Sequence, residues 1–142
     1  MNKTIKHKDF FLKIYIEDTD FQGFVYHANY IKFFERARSD FLSNNNISQE
    51  QHRNDGFVFV VKKIEIDYLT TSKLGDTLIV QSSVYKKSNA RMIFNQKIIN
   101  QIDNKIICEG DVEICFINIY TKKPKPFPDD LLLIFDKGEI NE

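Results

Sequence analysis

Between Asn29 and Asn44 the chain adopts a long helical period of apolar residues. Ile31, Phe34, Phe41 and Leu42, joined by Phe33 and Ala37, recur at three- and four-residue spacing. Lys32, Glu35, Arg36, Arg38 and Asp40 occupy much of the remainder. This is the pattern of a helix with one broad apolar face. No Gly or Pro interrupts it. Asn29 suits the N-cap, and Asn44-Asn45-Asn46 suits the end, because Asn tolerates left-handed backbone. A helix of about 16 residues is a rod of roughly 24 Å. Its apolar face must be covered, and most of the remaining chain reads as strand.

Phe10 to Glu17 alternates Leu12, Ile14 and Ile16 against Lys13, Tyr15 and Glu17, which predicts a strand. After a polar connection from Ser48 to Asp55, Gly56 to Tyr68 alternates again. Leu74-Gly75-Asp76 is a turn, and Thr77 to Tyr85 is rich in Leu, Ile and Val. Lys87-Ser88-Asn89-Ala90 turns the chain into Arg91 to Gln101, Asp103-Asn104 marks a hairpin, and Ile106 to Tyr120 is a long last strand. Short turns favour antiparallel pairing. Pro124, Pro126 and Pro128 mark a tail from about residue 121, in which Pro128-Asp129-Asp130 opens a short terminal helix. The expectation is one domain over residues 1–142, of the α+β class. A five-stranded antiparallel sheet wraps around one long central helix. Such a sheet leaves a face or an edge uncovered, where Phe57, Phe59 and Tyr85 are expected. We therefore expect a homodimer by edge-to-edge pairing, and a homotetramer beyond it.

With 142 residues, 42% of them hydrophobic, the chain is one globular domain. Twenty basic and twenty acidic residues cancel, which argues against nucleic acid as a partner. Met1 to Asp9 is polar and lysine-rich, unlike a signal peptide, and no run approaches about 18 apolar residues. The expectation is a soluble cytoplasmic protein with no membrane span. Cys108 and Cys115 share one predicted strand about 23 Å apart, beyond disulfide reach. His7, His27 and His52 lack metal-ligand spacing, so no structural metal site is expected.

The chemistry concentrates just before the helix. Glu17-Asp18-Thr19-Asp20-Phe21-Gln22-Gly23 leads through Val25-Tyr26-His27 to Asn29-Tyr30. A helix start offers unpaired N–H groups and partial positive charge. A carboxylate held beside it can act on a polarised carbonyl. Alone, an Asp in such a loop is more often a turn cap, and Gly23 a plain turn glycine.

Tyr15, Glu17, Asp18, Thr19, Asp20, Gly23, Val25, Tyr26, His27, Tyr30, Phe33, Glu35, Arg36, Ala37 and Arg38 spell Y-x-E-D-T-D-x-x-G-x-V-Y-H-x-x-Y-x-x-F-x-E-R-A-R. This motif resembles the Tol–Pal-associated, YbgC-type acyl-CoA thioesterases. It is also similar to the wider 4-hydroxybenzoyl-CoA thioesterase family of hotdog proteins. The order of the later strands extends the resemblance to about residue 120.

The resemblance implies that Asp20 is the catalytic carboxylate and that the position of His27 supplies a backbone N–H to the thioester oxygen. It implies an aliphatic acyl-CoA of short to medium chain as substrate, no cofactor, and a site between subunits. Asp20 would serve as general base or as nucleophile. The His27 side chain would orient water, contact the acyl group or bond Asp20. Gly23 and Tyr26 would shape the site, and Val60 would come from the partner's strand. Apart from the resemblance, Lys87 and Arg91, with Lys86, flank one turn within reach of the phosphates of coenzyme A, although such a turn is more often simply charged and solvated. Glu35 is expected to pair with Arg38. Two rival readings stand beside this one. Acyl carrier protein would replace coenzyme A as the acyl donor, or the chain would be a non-catalytic acyl- or partner-binding scaffold in envelope or lipid assembly.

Overall fold

A computed structural model describes residues 3–137. The elements are β1 (Thr4–Lys6), β2 (Phe10–Lys13), α1 (Ala28–Asn44), α2 (Gln49–Asn54), β3 (Phe57–Tyr68), β4 (Thr77–Ser88), β5 (Arg91–Asn100), β6 (Ile106–Asn118) and α3 (Asp129–Lys137). All strand pairs are antiparallel, in the order β1-β4-β5-β6-β3, with β2 also on β4. The sheet therefore has six strands where five were expected. The short N-terminal pieces share one edge of β4, matching Ile5 to Val84 and Phe11 to Ile79. The polar N-terminus becomes a strand because an edge position asks little more than backbone pairing and one buried side chain, Ile5.

The first expected strand ends early. After Lys13 the Ile14 N–H bonds the Asp76 carbonyl, and Ile16–Asp18 forms a 3-10 turn. Ile14 is fully buried, but Ile16 is 75% exposed. The Ser48–Asp55 connection holds α2, capped by the Ser48 hydroxyl accepting from the Gln51 N–H.

The helix α1 lies across β4 and β5 with Tyr30, Phe33, Phe34, Ala37, Phe41 and Leu42 buried. Arg38 is buried with them, contrary to its polar reading. It donates to Gln96 Oε1 at 3.2 Å, and burial lowers its pKa from the ordinary value. The expected Glu35–Arg38 pair does not form, because Arg38 turns inward. Glu35 instead accepts from the Ser39 hydroxyl at 2.6 Å.

Phe57 and Phe59 are half-buried rather than displayed on the surface. They pack on Phe116, with ring centroids at 5.7 and 4.8 Å, and Phe127 closes the cluster. Phe127, Leu131 and Phe135, in the segment expected as a tail, join the core. Gly110 lets β3 and β6 approach, since a Cβ there would collide with the Glu65 carbonyl.

Candidate active site

The loop before α1 is a small hairpin. Thr19 bridges Val25, and the Asp20 N–H donates to the Phe24 carbonyl at 2.8 Å. The Gly23 N–H returns to the Asp20 carbonyl at 3.0 Å, and Gly23 has φ +88°, a left-handed backbone at the turn tip. Asp20 itself is half-buried. Its Oδ1 accepts the Gln22 N–H at 2.9 Å, so one carboxylate oxygen caps the turn. Its Oδ2 has no hydrogen bond among the described residues.

Asp18 has a different task. Its carboxylate accepts the Tyr15 N–H at 2.9 Å, and its carbonyl accepts the Tyr26 N–H and the Asn29 Nδ2, each at 2.9 Å. Asn29, expected as the N-cap, lies inside the helix and ties its first turn to the hairpin. The Val25 N–H donates to the Ser72 carbonyl at 2.8 Å, and Phe24 bridges Lys73, which fastens the hairpin to the stretch before β4.

His27 occupies the N-cap position of α1 without a side-chain cap. The N–H groups of His27 and Ala28 donate to no acceptor among the described residues, whereas those of Tyr26 and Asn29 are satisfied. These orphan donors sit at the positive end of a helix of 17 residues. The exposed His27 ring makes no hydrogen bond to Asp20. It packs between Tyr26 and Tyr68, with centroids at 4.8 and 5.9 Å. The Tyr68 hydroxyl makes a long 3.4 Å contact with the His27 carbonyl. Sequence reasoning gave Tyr68 no part here. Its only signal is an aromatic at the end of a strand.

The remaining expected site residues lie elsewhere in the chain. Val60 sits in β3 opposite Cys115, next to the row of Arg91, at the end of the sheet away from the hairpin. Lys87 and Arg91 are both bonded to Glu113, at 3.2 and 3.3 Å, and Lys86 reaches Asn89. Within one chain the structure thus joins Asp20, Gly23, Tyr26 and His27, and separates them from Val60, Lys87 and Arg91.

Both cysteines are free and buried. Burial, with a smaller contribution from Glu109, pushes the Cys108 thiol up to about 12, which makes it a poor nucleophile near neutral pH. Among the described residues no His, Cys, Asp and Glu cluster suits a metal ion, and no helix is long and apolar enough to cross a membrane.

Comparisons with known proteins bear on the family and the fold. Acyl-CoA thioester hydrolase YbgC of Escherichia coli O6:H1 is 32% identical over 124 residues, covering 87% of this chain and 92% of that protein. Acyl-CoA thioesterase YbgC of Haemophilus influenzae is 34% identical, covering 87% and 90%. A probable thioesterase from Bartonella henselae superposes with TM-score 0.70 at 33% identity, covering 87% of this chain and 98% of its own. A 1,4-dihydroxy-2-naphthoyl-CoA thioesterase from Synechocystis superposes with TM-score 0.86 at 20% identity, covering 90% and 94%, a likeness of fold. The family model described as the thioesterase-like superfamily matches residues 14–135. With the hotdog architecture, the family match and relatives aligned over most of their length, the chain belongs to the thioesterase-like superfamily.

Proposed function

We propose that this chain hydrolyses acyl-CoA thioesters to a free acid and coenzyme A, using the Asp20 hairpin and the first turn of α1. The observation that carries the reading is the pair of unsatisfied N–H groups at His27 and Ala28, beside the hairpin that holds Asp20. Hydrolysis needs an attacking oxygen, a counter to the developing oxyanion, and departure of a thiolate. The helix start supplies the second from backbone donors and dipole, worth about 3 kcal/mol per donor. Asp20 supplies the first. As general base it takes a proton from water as the C–O bond forms. The tetrahedral intermediate then collapses, the C–S bond breaks, and the proton passes to the leaving sulfur. As nucleophile it forms a mixed anhydride that water opens in a second step.

The names of the relatives favour an acyl-CoA substrate, and the exposed rings of Tyr26, His27 and Tyr68 offer the acyl thioester an aromatic wall. We read the acyl group as aliphatic and of short to medium length. A homodimer completes the site. Among the described residues β3 pairs only with β6, which leaves its other edge free along 12 residues. Antiparallel pairing of two such edges about their midpoint lays Val60 of the partner subunit along the stretch leading to Tyr68. Two dimers would form the tetramer.

The test is thiol release over acyl-CoA substrates of increasing chain length. Turnover is expected on at least one of them, with Asp20→Asn slower by about 100-fold or more. A folded Asp20→Asn protein with wild-type turnover ends the assignment.

A further inference from the structure

Hydrogen bonds close a triangle at the start of α1. The Tyr26 N–H and the Asn29 Nδ2 both donate to the Asp18 carbonyl at 2.9 Å, and the Asn29 N–H donates to the Tyr26 carbonyl at 2.8 Å. Asn29 therefore donates twice, from its backbone to the turn before the helix and from its side chain to the hairpin. Among the described residues it makes the only side-chain hydrogen bond between α1 and the stretch 16–25. Asn is a weak helix former, because its amide competes for nearby backbone groups. At the second residue of α1, half-buried, that same habit makes it a tie between two segments.

The hairpin is stiff within itself. The Asp20 N–H holds the Phe24 carbonyl, the Gly23 N–H holds the Asp20 carbonyl, and Asp20 Oδ1 accepts the Gln22 N–H. The helix start is ordered by its own turns and by the bond of Tyr30 to Ser72. What remains to be set is how these two rigid pieces sit against each other. Ser72 touches both, but from a third segment. Tyr26 lies in the short connection itself. Asn29 reaches across the joint directly from the helix. The reaction needs Asp20 and the N–H groups of His27 and Ala28 to converge on one carbonyl, and a misplacement of about 1 Å costs up to about 100-fold in rate.

We propose that Asn29 is a positioning residue for this reaction: its side-chain amide clamps the Asp18 main chain to α1 and so holds the Asp20 carboxylate in register with the unsatisfied N–H groups of His27 and Ala28. The inference rests on the thioesterase reading given above and adds the residue that aligns the two halves of that site. Asn29 acts through Asp20 and does not touch the substrate. Asp18 lies two residues before Asp20, so a shift of its carbonyl passes to Asp20 through two peptide units. The clamp needs a donor, because its target is a carbonyl oxygen. An Asp at this position would have the same shape but would set oxygen against oxygen.

Three measurements test this. Alanine is the better helix former, so Asn29→Ala removes the clamp without weakening α1 by propensity. In hydrogen exchange the Tyr26 N–H, which shares the Asp18 carbonyl with the Asn29 amide, should exchange about tenfold faster in Asn29→Ala than in wild type. This readout needs no turnover, so it separates failure of the clamp from failure of the thioesterase reading. Unchanged exchange overturns the proposal. In kinetics on an acyl-CoA, Asn29→Ala should lower kcat about tenfold and leave KM within about twofold, the pattern of a lost alignment in the transition state. Asn29→Ser, which keeps a shorter donor, should lose less and supplies a second variant for the same comparison. A raised KM with unchanged kcat overturns the proposal, and so does an unchanged kcat per folded molecule. The third measurement repeats Asn29→Ala in the Asp20→Asn background. With no carboxylate left to place, it should cost less than about twofold of the residual kcat. The same tenfold loss in both backgrounds would show that Asn29 acts on the helix start or on the fold, and its role through Asp20 would be wrong. If the wild-type protein hydrolyses no acyl-CoA, the thioesterase reading falls and this inference falls with it, whatever the exchange rates show.

Discussion

Tyr30 and Ser72 share a buried hydrogen bond of 2.6 Å that joins the first turn of α1 to the segment before β4. The same Ser72 receives the Val25 N–H on its carbonyl, so one residue anchors both the helix start and the hairpin that carries Asp20. Burial pushes the Tyr30 hydroxyl up from its ordinary pKa, and it stays protonated across the physiological range. Tyr30→Phe leaves a buried hydroxyl on Ser72 without its partner. We expect a loss of about 1–2 kcal/mol in urea unfolding. Ser72→Ala in the Tyr30→Phe background should cost less than it does alone, the signature of a direct pair.

Asp20 has two separable roles, and two substitutions separate them. Asparagine keeps an oxygen that can accept the Gln22 N–H, so Asp20→Asn should unfold within about 0.5 kcal/mol of wild type. Asp20→Ala removes the acceptor and should lose about 1 kcal/mol. Both should lose thioesterase turnover by about 100-fold or more. Equal stability of the two variants would show that the turn contact contributes nothing.

Phe127 ties the terminal segment to the core. Its ring packs against Phe116 and Phe135, and its N–H bonds the Asn89 carbonyl. Phe127→Ala should lower stability by about 3–5 kcal/mol, and thermal or urea unfolding reads this directly. A loss under about 1 kcal/mol would mean that α3 packs only loosely on the sheet.

Alkaline stability carries a sign that Cys108 sets. Its folded pKa is raised from 9.0 to about 12, so the folded state holds the proton more tightly than the unfolded chain does. This contribution is complete below about pH 9 and disappears as the pH rises through about 12. Unfolding free energy should fall across that window, and the fall should be shallower in Cys108→Val. The native thiol should also react slowly with disulfide reagents at pH 8 and quickly once unfolded. Tyr30, raised by burial, adds a decline of the same sign to both proteins.

The long helix and the four later strands were legible in the sequence because each is a long periodic segment, whose apolar face repeats over many residues. The short elements were not. Thr4–Lys6 contributes one buried side chain, too little to set a period, and α2 is six residues whose main mark is the Ser48 cap. Arg38 was misread because helical periodicity assigns a position to a face without saying whether an amide waits there. Gln96, 58 residues away, is what admits the guanidinium to the interior. The structure gives the carboxylate and carbonyl of Asp18 three donors, two of them from residues beyond the Gly23 turn.

What the sequence determined by itself is local. It set an acid-rich turn before an amphipathic helix, because turn glycine and apolar spacing act within a few residues of one another. The tertiary structure decided which distant groups meet. It paired Tyr30 with Ser72, gathered Lys87 and Arg91 around Glu113, and set those cations at the opposite end of the sheet from Asp20. Such meetings depend on strand order and register, which arise when the whole sheet closes over the helix, and no short-range pattern encodes them.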